Sequence, residues 1–303
     1  MSSTLFLITG SMDVAIFLLS APGNTFILFV NILDVVNSKA LNLSDQLICS
    51  ISVVTICHQF LYVLEFITFS LTKEMFSEEA AVICFIFMLQ TITSCNLWLS
   101  TWLCVHFCIK IVNIKQRCYI YLQKMFPKTF KWILMSTILG SSLISFSSVL
   151  GSLMLTQSDM TYNDYGLPAY EKQLSSTVLY SLTFSVSIVV LCTSALTIII
   201  SLSRHMKRIQ DNSEGSITPS VEAHVQATRT ILSLLVINIL YSIDGLRWFI
   251  VKPFLIYHYV SLICSSVSQI LKPWILIKGN SKLDGALQQV LHSCTSPRIS
   301  NDT

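Results

Sequence analysis

The feature that most limits the possible folds is a series of long apolar runs separated by short polar loops. A helix that crosses a bilayer needs roughly 20 mostly apolar residues, because the hydrocarbon core is about 30 Å thick and each residue rises about 1.5 Å. Seven runs meet that length, at about 7–33, 46–69, 81–109, 132–156, 175–202, 228–250 and 254–278. They lack the alternation of barrel strands, so the sequence predicts an all-α membrane protein, a seven-transmembrane helix bundle forming a single domain over 1–303.

Composition supports this class, with 53% hydrophobic and 12% charged residues and a mean hydropathy of +0.67. Pro253 separates the last two runs, since proline lacks an N–H and its ring interrupts a helix. Residues 279–303 are expected to form a short cytoplasmic tail. The longest polar stretch lies within 201–230 and is too short for a domain of its own. Function is therefore expected in the helix bundle and its loops.

The distribution of Lys and Arg predicts the orientation, because cytoplasmic loops retain these residues in excess. With the N-terminus outside, fourteen of the nineteen face the cytosol: Lys39, Lys110, Lys115, Arg117, Lys124, Lys128, Lys131, Arg204, Lys207, Arg208, Arg229, Lys278, Lys282 and Arg298. Lys73, Lys172, Arg247 and Lys252 face the other side, and Lys272 lies inside the seventh helix. We expect an outside N-terminus, a cytoplasmic C-terminus and a multi-pass protein of the plasma membrane. The net charge of +3 then reflects membrane anchoring rather than nucleic-acid binding.

Motifs of catalysis and of metal binding are missing from the sequence. It contains no HExxH or GxSxG and no strand followed by a phosphate-binding loop, so it does not predict an enzyme. Cys104 and Cys108 lie one helical turn apart, but His106 points elsewhere, so no metal site and no cofactor are predicted. The two halves show no inverted repeat, which weakens a transporter interpretation. Signal transduction remains the leading class.

Four stretches resemble one family of receptors. SLSRHMKRIQDNSEGSITPSVEAHVQA, which begins at Ser201, resembles the third cytoplasmic loop of the bitter taste receptors (type 2 taste receptors), a family of G protein-coupled receptors. NTFILFVNILDVV resembles the helix 1 pattern of that family, WLSTWLCVHFCIKIVNI the end of its helix 3, and LIKGNSKL the tail of its helix 7. The four occur in order over residues 24–283. The chain is therefore similar to this family, as a divergent or non-mammalian member.

Several positions depart from the family pattern. Asp45 matches the entry to helix 2, yet the Arg that usually follows it ten residues later is Thr55. The usual His-Ser near the end of helix 7 is Lys272 and Pro273. The remaining departures are at Ser187 and Ile188 in helix 5 and at Thr218 in the loop. The polar network usual inside these receptors is therefore expected to be rewired.

The resemblance implies a receptor that binds small bitter molecules in an outward-facing cavity. Such a cavity is mostly apolar with a few placed polar groups, so polar and aromatic residues in the outer half of the bundle are candidates. The predicted ligand-binding residues are Glu65, Gln90, Thr93, Ser94, Tyr241, Trp248, His258 and Ser265. Glu65 stands out because a carboxylate within an apolar helix costs several kcal/mol unless it faces water or a partner. Thr93 corresponds to a commonly ligand-facing Asn of the family.

The resemblance also implies activation of a heterotrimeric, gustducin-like G protein at the cytoplasmic face. The predicted coupling residues are Lys110, Asn113, Arg204, His205, Lys207 and His224. From the residues alone, Arg204 and its neighbours equally suit a helix end, where cations complement the dipole, and Lys110 suits snorkelling. A type 1 vomeronasal receptor and a small membrane transporter remain alternatives, and homo- or hetero-oligomerisation stays open.

Overall fold

The structure is a computed structural model, and it describes residues 3–37, 39–72, 79–112, 117–158, 166–212, 229–241 and 255–295. Over these residues the chain is helical and contains no strand, so the all-helical prediction is confirmed. In chain order the helices are α1 (Ser3–Val36), α2 (Leu43–Thr72), α3 (Glu79–Ile111), α4 (Arg117–Ser158), α5 (Gly166–Asn212), α6 (Arg229–Tyr241), α7 (Leu255–Gly279) and α8 (Ser281–Thr295).

Five segments within the described residues are long and apolar enough to cross a membrane. They are Leu7–Val36, Leu43–Leu71, Ala80–Ile111, Tyr119–Leu150 and Ser181–Ser201. The described part of α6 is a shorter apolar helix, and α7 has 25 residues. These helices support a multi-pass membrane protein. The count of seven spans and the orientation of the termini stay predictions.

Two helices extend beyond the apolar runs that predicted them. α4 begins at Arg117 rather than at about 132, and α5 ends at Asn212 rather than at about 202. Lys and Arg are good helix formers whose long side chains reach water from the membrane edge, so a helix can continue past its apolar part.

The predicted tail contains an eighth helix that the sequence analysis did not foresee. α8 begins directly after Asn280, whose Oδ1 accepts hydrogen bonds from the backbone N–H groups of Lys282 at 3.1 Å and Leu283 at 3.4 Å. Asparagine is a preferred N-cap because its side chain satisfies these otherwise unpaired donors. The sequence therefore did contain an indication of where α8 begins, namely the N-cap residue Asn280.

The main core has buried members on all eight described helices, including Phe130 of α4, Leu191 of α5, Leu234 of α6 and Leu283 of α8. α3 is central, since it packs against α2, α4 and α5. A second apolar cluster joins α3, α5 and α6 at their basic ends and comprises Val112, Ala195, Ile198 and Ile231. This cluster keeps the three helix ends packed against one another.

Two glycines allow α7 to approach its neighbours closely. A Cβ added at Gly23 of α1 would lie 3.0 Å from the Cβ of Pro273. A Cβ added at Gly279 of α7 would overlap the side chain of Thr230 on α6. Any larger residue at position 279 must therefore displace α6 or the Thr230 side chain.

Candidate functional site

A buried lysine lies at the centre of the bundle. The Lys272 side chain on α7 is 4% exposed, and its Nζ donates a hydrogen bond of 2.5 Å to Oδ1 of Asn96 on α3. The same Nζ lies 5.6 Å from the ring centroid of Tyr241 on α6. Asn96 Nδ2 donates in turn to Oγ1 of Thr55 on α2, at 3.3 Å. We call these four residues the Lys272 network, and it connects four helices.

An ammonium group inside a membrane helix is costly unless polar partners replace water. The ion pairs found among the described residues do not include Lys272. Its described partners are instead the neutral Asn96 amide and the face of the Tyr241 ring, which attracts a cation through its quadrupole. The position of the ammonium therefore depends on α3 and α6 staying in place relative to α7.

Two departures from the family pattern meet in this network. By the resemblance described in the sequence analysis, Thr55 stands where the family usually has Arg and Lys272 where it usually has His. Both side chains are bonded to Asn96, although they come from α2 and α7. The cation beside Asn96 therefore comes from Lys272 of α7, whereas the neighbouring residue on α2, Thr55, is uncharged.

His58 brings two predicted ligand-binding residues together. Thr93 Oγ1 donates to the carbonyl of Leu89 at 2.8 Å, so its lone pair is available to accept from His58 Nε2–H at 3.1 Å. The ring of His58 also lies 6.1 Å from the ring of Tyr241. The chain of contacts from Thr93 through His58 and Tyr241 ends at Lys272. His58, which the sequence analysis did not select, is the link.

The other predicted ligand-binding residues are placed as follows. Gln90 and Ser94 are buried on α3, and Gln90 Oε1 and Ser94 Oγ have no hydrogen-bond partner among the described residues. Ser265 is buried on α7 and accepts a hydrogen bond of 2.9 Å from Gln269 Nε2. Glu65 is half-buried on α2, and it has an interaction partner within the protein.

Two of the predicted ligand-binding residues cannot be placed in the same way. Trp248 lies outside the described residues, and His258 is described only as part of α7. The residues brought into one connected group are thus Thr93 and Tyr241.

At the basic end of the bundle, Lys282 of α8 joins α1 to α2. Its Nζ lies 2.5 Å from Asn31 Oδ1, 2.7 Å from Asp34 Oδ2 and 3.2 Å from Asp45 Oδ2. Asn280 Nδ2 donates to Asp45 Oδ1 at 2.7 Å. Burial alone would lower the pKa of the Lys282 ammonium, but the hydrogen bonds and charges of Asp34 and Asp45 raise it above its usual value. We call Lys282, Asn31, Asp34, Asp45 and Asn280 the Lys282 clamp. The sequence analysis covered the stretches that contain these residues but did not predict that they would be in contact.

The predicted coupling residues are only partly described. Lys110 is exposed at the end of α3, and Arg204 and Lys207 are exposed near the end of α5. His205 lies in the same part of α5, whereas Asn113 and His224 lie outside the described residues. The exposed cations therefore lie on helices whose basic ends are packed together by the second apolar cluster.

Over the described part of the chain, no group of three His, Cys, Asp or Glu side chains is arranged to hold a metal ion. The cysteines whose side chains are described, eight in number, are free thiols.

Comparison with known proteins covers almost the whole chain. The family model described as taste receptor protein (TAS2R) matches residues 1–295. Taste receptor type 2 member 41 of Rattus norvegicus is 26% identical over 263 residues, 82% of this chain and 83% of the relative. Taste receptor type 2 member 4 of Gorilla gorilla gorilla is 27% identical over 233 residues, 74% of this chain and 75% of the relative. Member 41 of the same species is 30% identical over 218 residues, covering 66% and 67%. On this evidence, the chain belongs to the TAS2R taste receptor family.

Proposed function

We propose that this protein is a bitter taste receptor that binds small bitter molecules in an outward-facing cavity and activates a heterotrimeric G protein. The observation that carries the proposal is the buried chain of contacts from Thr93 through His58 and Tyr241 to Lys272. A molecule that displaced any member of this chain would change the contacts that α7 makes with α3 and α6. Family membership favours this interpretation over the vomeronasal and transporter alternatives.

The polar groups without hydrogen-bond partners suit an agonist site. Gln90 and Ser94 lie within one helical turn of Thr93, and both present buried oxygen atoms. An unpaired buried polar atom is costly, so a bound molecule that supplies a hydrogen bond gains affinity there. The ligand-binding roles of Glu65, Trp248, His258 and Ser265 belong to the same proposal and rest on sequence alone.

The proposed mechanism is a shift of population between two arrangements of the helices. An agonist that binds the active arrangement more tightly favours a rearrangement of α5 and α6 that separates the second apolar cluster. The G protein then enters between the basic helix ends, near Arg204, His205 and Lys207 of α5, near Lys110 of α3, and near Asn113 and His224. Because the coupling is reciprocal, agonist and G protein must strengthen each other's binding.

Calcium release tests the function directly. Cells at whose plasma membrane the receptor is expressed, together with a chimeric taste-type G protein, are exposed to a panel of bitter compounds. We expect a response to at least one compound and its loss in His205→Ala at equal surface expression. Silence across the panel with the receptor at the surface would contradict the proposal, as would agonist-dependent transport of a solute without nucleotide exchange.

A further inference from the structure

A groove with a volume of about 400 Å³ lies between α3, α4 and α5. Its walls include Trp98, Trp102, Gly140, Ser141, Leu182 and Val186. Leu182 is 56% exposed and Val186 is 52% exposed, so the groove lies on the outer surface of the bundle. In a membrane-spanning bundle that surface faces the acyl chains, and a ligand would enter from the bilayer rather than from water.

The groove is open beside Gly140 of α4, which has no side chain. A Cβ added there would meet no atom within 4 Å, so the space beside this residue is open. On the opposite wall, the rings of Trp98 and Trp102 lie 6.0 Å apart and are tilted by 31°. Two neighbouring indoles offer a broad aromatic surface, and aromatic rings gain from stacking as well as from apolar contact.

One wall atom lacks a good partner. The hydroxyl of Thr137 is engaged, because it accepts from Trp102 Nε1 at 3.1 Å and donates to the carbonyl of Ile133 at 2.8 Å. Ser141 is 2% exposed, and within the described part of the chain its Oγ makes no hydrogen bond to nitrogen or oxygen. The thiol of Cys95, which is a weak hydrogen-bond partner, lies beside it. Ser141 is therefore a buried hydroxyl that a ligand could satisfy.

We propose that this groove is a second ligand site, for a rigid aromatic molecule that carries one carbonyl or hydroxyl group and is dissolved in the bilayer. Its volume lies within the range of roughly 300–1,000 Å³ that is usual for small-molecule sites. Hydrocarbon offers such a molecule no hydrogen bond, so the Ser141 hydroxyl adds affinity that the surrounding membrane cannot match. The site is separate from the outward-facing cavity of the proposed function.

An acyl chain is the competing occupant, and the groove suits it less. A flexible chain loses more conformational freedom on binding than a rigid ring system does. It also carries no polar group at that depth, so Ser141 would remain unsatisfied. Both arguments favour a rigid aromatic ligand with a single polar atom.

Photolabelling with benzophenone, an apolar aromatic ketone, tests the site on the full-length protein in lipid nanodiscs. After irradiation, mass spectrometry locates the adducts along the chain. We expect adducts concentrated on α3 around Trp98 and on α4 around Gly140. Gly140→Phe fills the open space and should lower this labelling at least tenfold, whereas Leu143→Phe, on the same helix at a position 69% exposed, should change it less than twofold.

A second pair of variants tests the polar contact. Ser141→Ala should lower labelling about fivefold, which corresponds to one hydrogen bond of about 1 kcal/mol. Ser142→Ala is the matched control, because the Ser142 hydroxyl already donates to the carbonyl of Ile138 at 2.9 Å. If thermal unfolding shows that Gly140→Phe is misfolded, Gly140→Leu replaces it with the same expectation.

Three results would overturn the proposal. The first is labelling spread evenly over the lipid-facing residues of all helices. The second is labelling of the groove that both Gly140 variants leave unchanged. The third is labelling by a diazirine-bearing fatty acid that an excess of benzophenone fails to displace, which would assign the groove to acyl chains.

Discussion

Lys272 gives the sharpest test of how the helices are held together. Lys272→Met keeps an unbranched side chain of similar length but removes the ammonium, and methionine adapts well to irregular interior space. The variant loses the hydrogen bond to Asn96 and the contact with the Tyr241 ring. Because these contacts occur while the second apolar cluster is packed, we assign them to the resting arrangement. We therefore expect Lys272→Met to raise agonist-independent activity.

The size of the effect follows from the two contacts. A hydrogen bond to a charged group contributes about 1.5–3 kcal/mol, and a desolvated cation–ring contact adds about 0.5–2 kcal/mol. The cost of burying the ammonium in the resting arrangement offsets part of this sum. A net shift of about 1.5–3 kcal/mol would change the ratio of active to resting receptor roughly 10- to 150-fold.

The assay is agonist-independent nucleotide exchange on the G protein at matched surface expression. Lys278→Met is the matched control, since it makes the same chemical change on the same helix. The Lys278 side chain is 65% exposed, and its ion pair with Asp284 lies at the surface, where such pairs contribute little. Basal exchange that is unchanged or lower in Lys272→Met would refute the assignment of the Lys272 network to the resting arrangement.

A rescue experiment separates the loss of a cation from a general packing defect. Thr55 Oγ1 already lies 3.3 Å from Asn96 Nδ2, so a longer cationic side chain at position 55 would reach the same amide. Adding Thr55→Arg to Lys272→Met should return basal exchange towards the starting value. If the double variant is as active as Lys272→Met alone, the network depends on the position of the cation on α7 and not merely on its presence.

Three further predictions concern other parts of the bundle. Gly279→Ala should raise basal exchange, because its Cβ would press on the side chain of Thr230 and move α6 outward; adding Thr230→Ala should reverse the effect, and an unchanged basal rate would contradict it. Lys282→Met should destabilise the protein by about 1–3 kcal/mol, since it leaves Asp45 without its cation and Asp34 with the exposed Lys39 at 3.5 Å, and the thermal midpoint should fall relative to Lys278→Met. Glu65→Gln should weaken responses to cationic agonists at unchanged surface expression, and identical dose–response curves for every agonist would exclude that role.

The helices could be predicted because the bilayer sets their minimum length, whereas their ends could not. The apolar run of α5 ends near 202, but the helix continues to Asn212 because polar residues beyond the membrane can still be helical. Contacts between helices were also out of reach, since they depend on which faces meet. The rule that singled out Glu65, a charge inside an apolar helix, applies equally to Lys272, and its application there would have singled out that residue, although not its partners on the other helices.

The position of Lys272 explains how the chain tolerates an unusual residue in the middle of α2. Thr55 alone would leave Asn96 Oδ1 buried on α3 without a cation, and an unsatisfied buried acceptor costs about 1–3 kcal/mol. The α7 ammonium satisfies that acceptor, so Asn96 joins α3 to α7 through Lys272 while it also stays bonded to Thr55 of α2. The consequence is mechanical as well as energetic. The cation lies on a helix that also contacts α6 through Tyr241 and Thr230, and so the loss or gain of one hydrogen bond bears directly on the helices that move in the proposed activation.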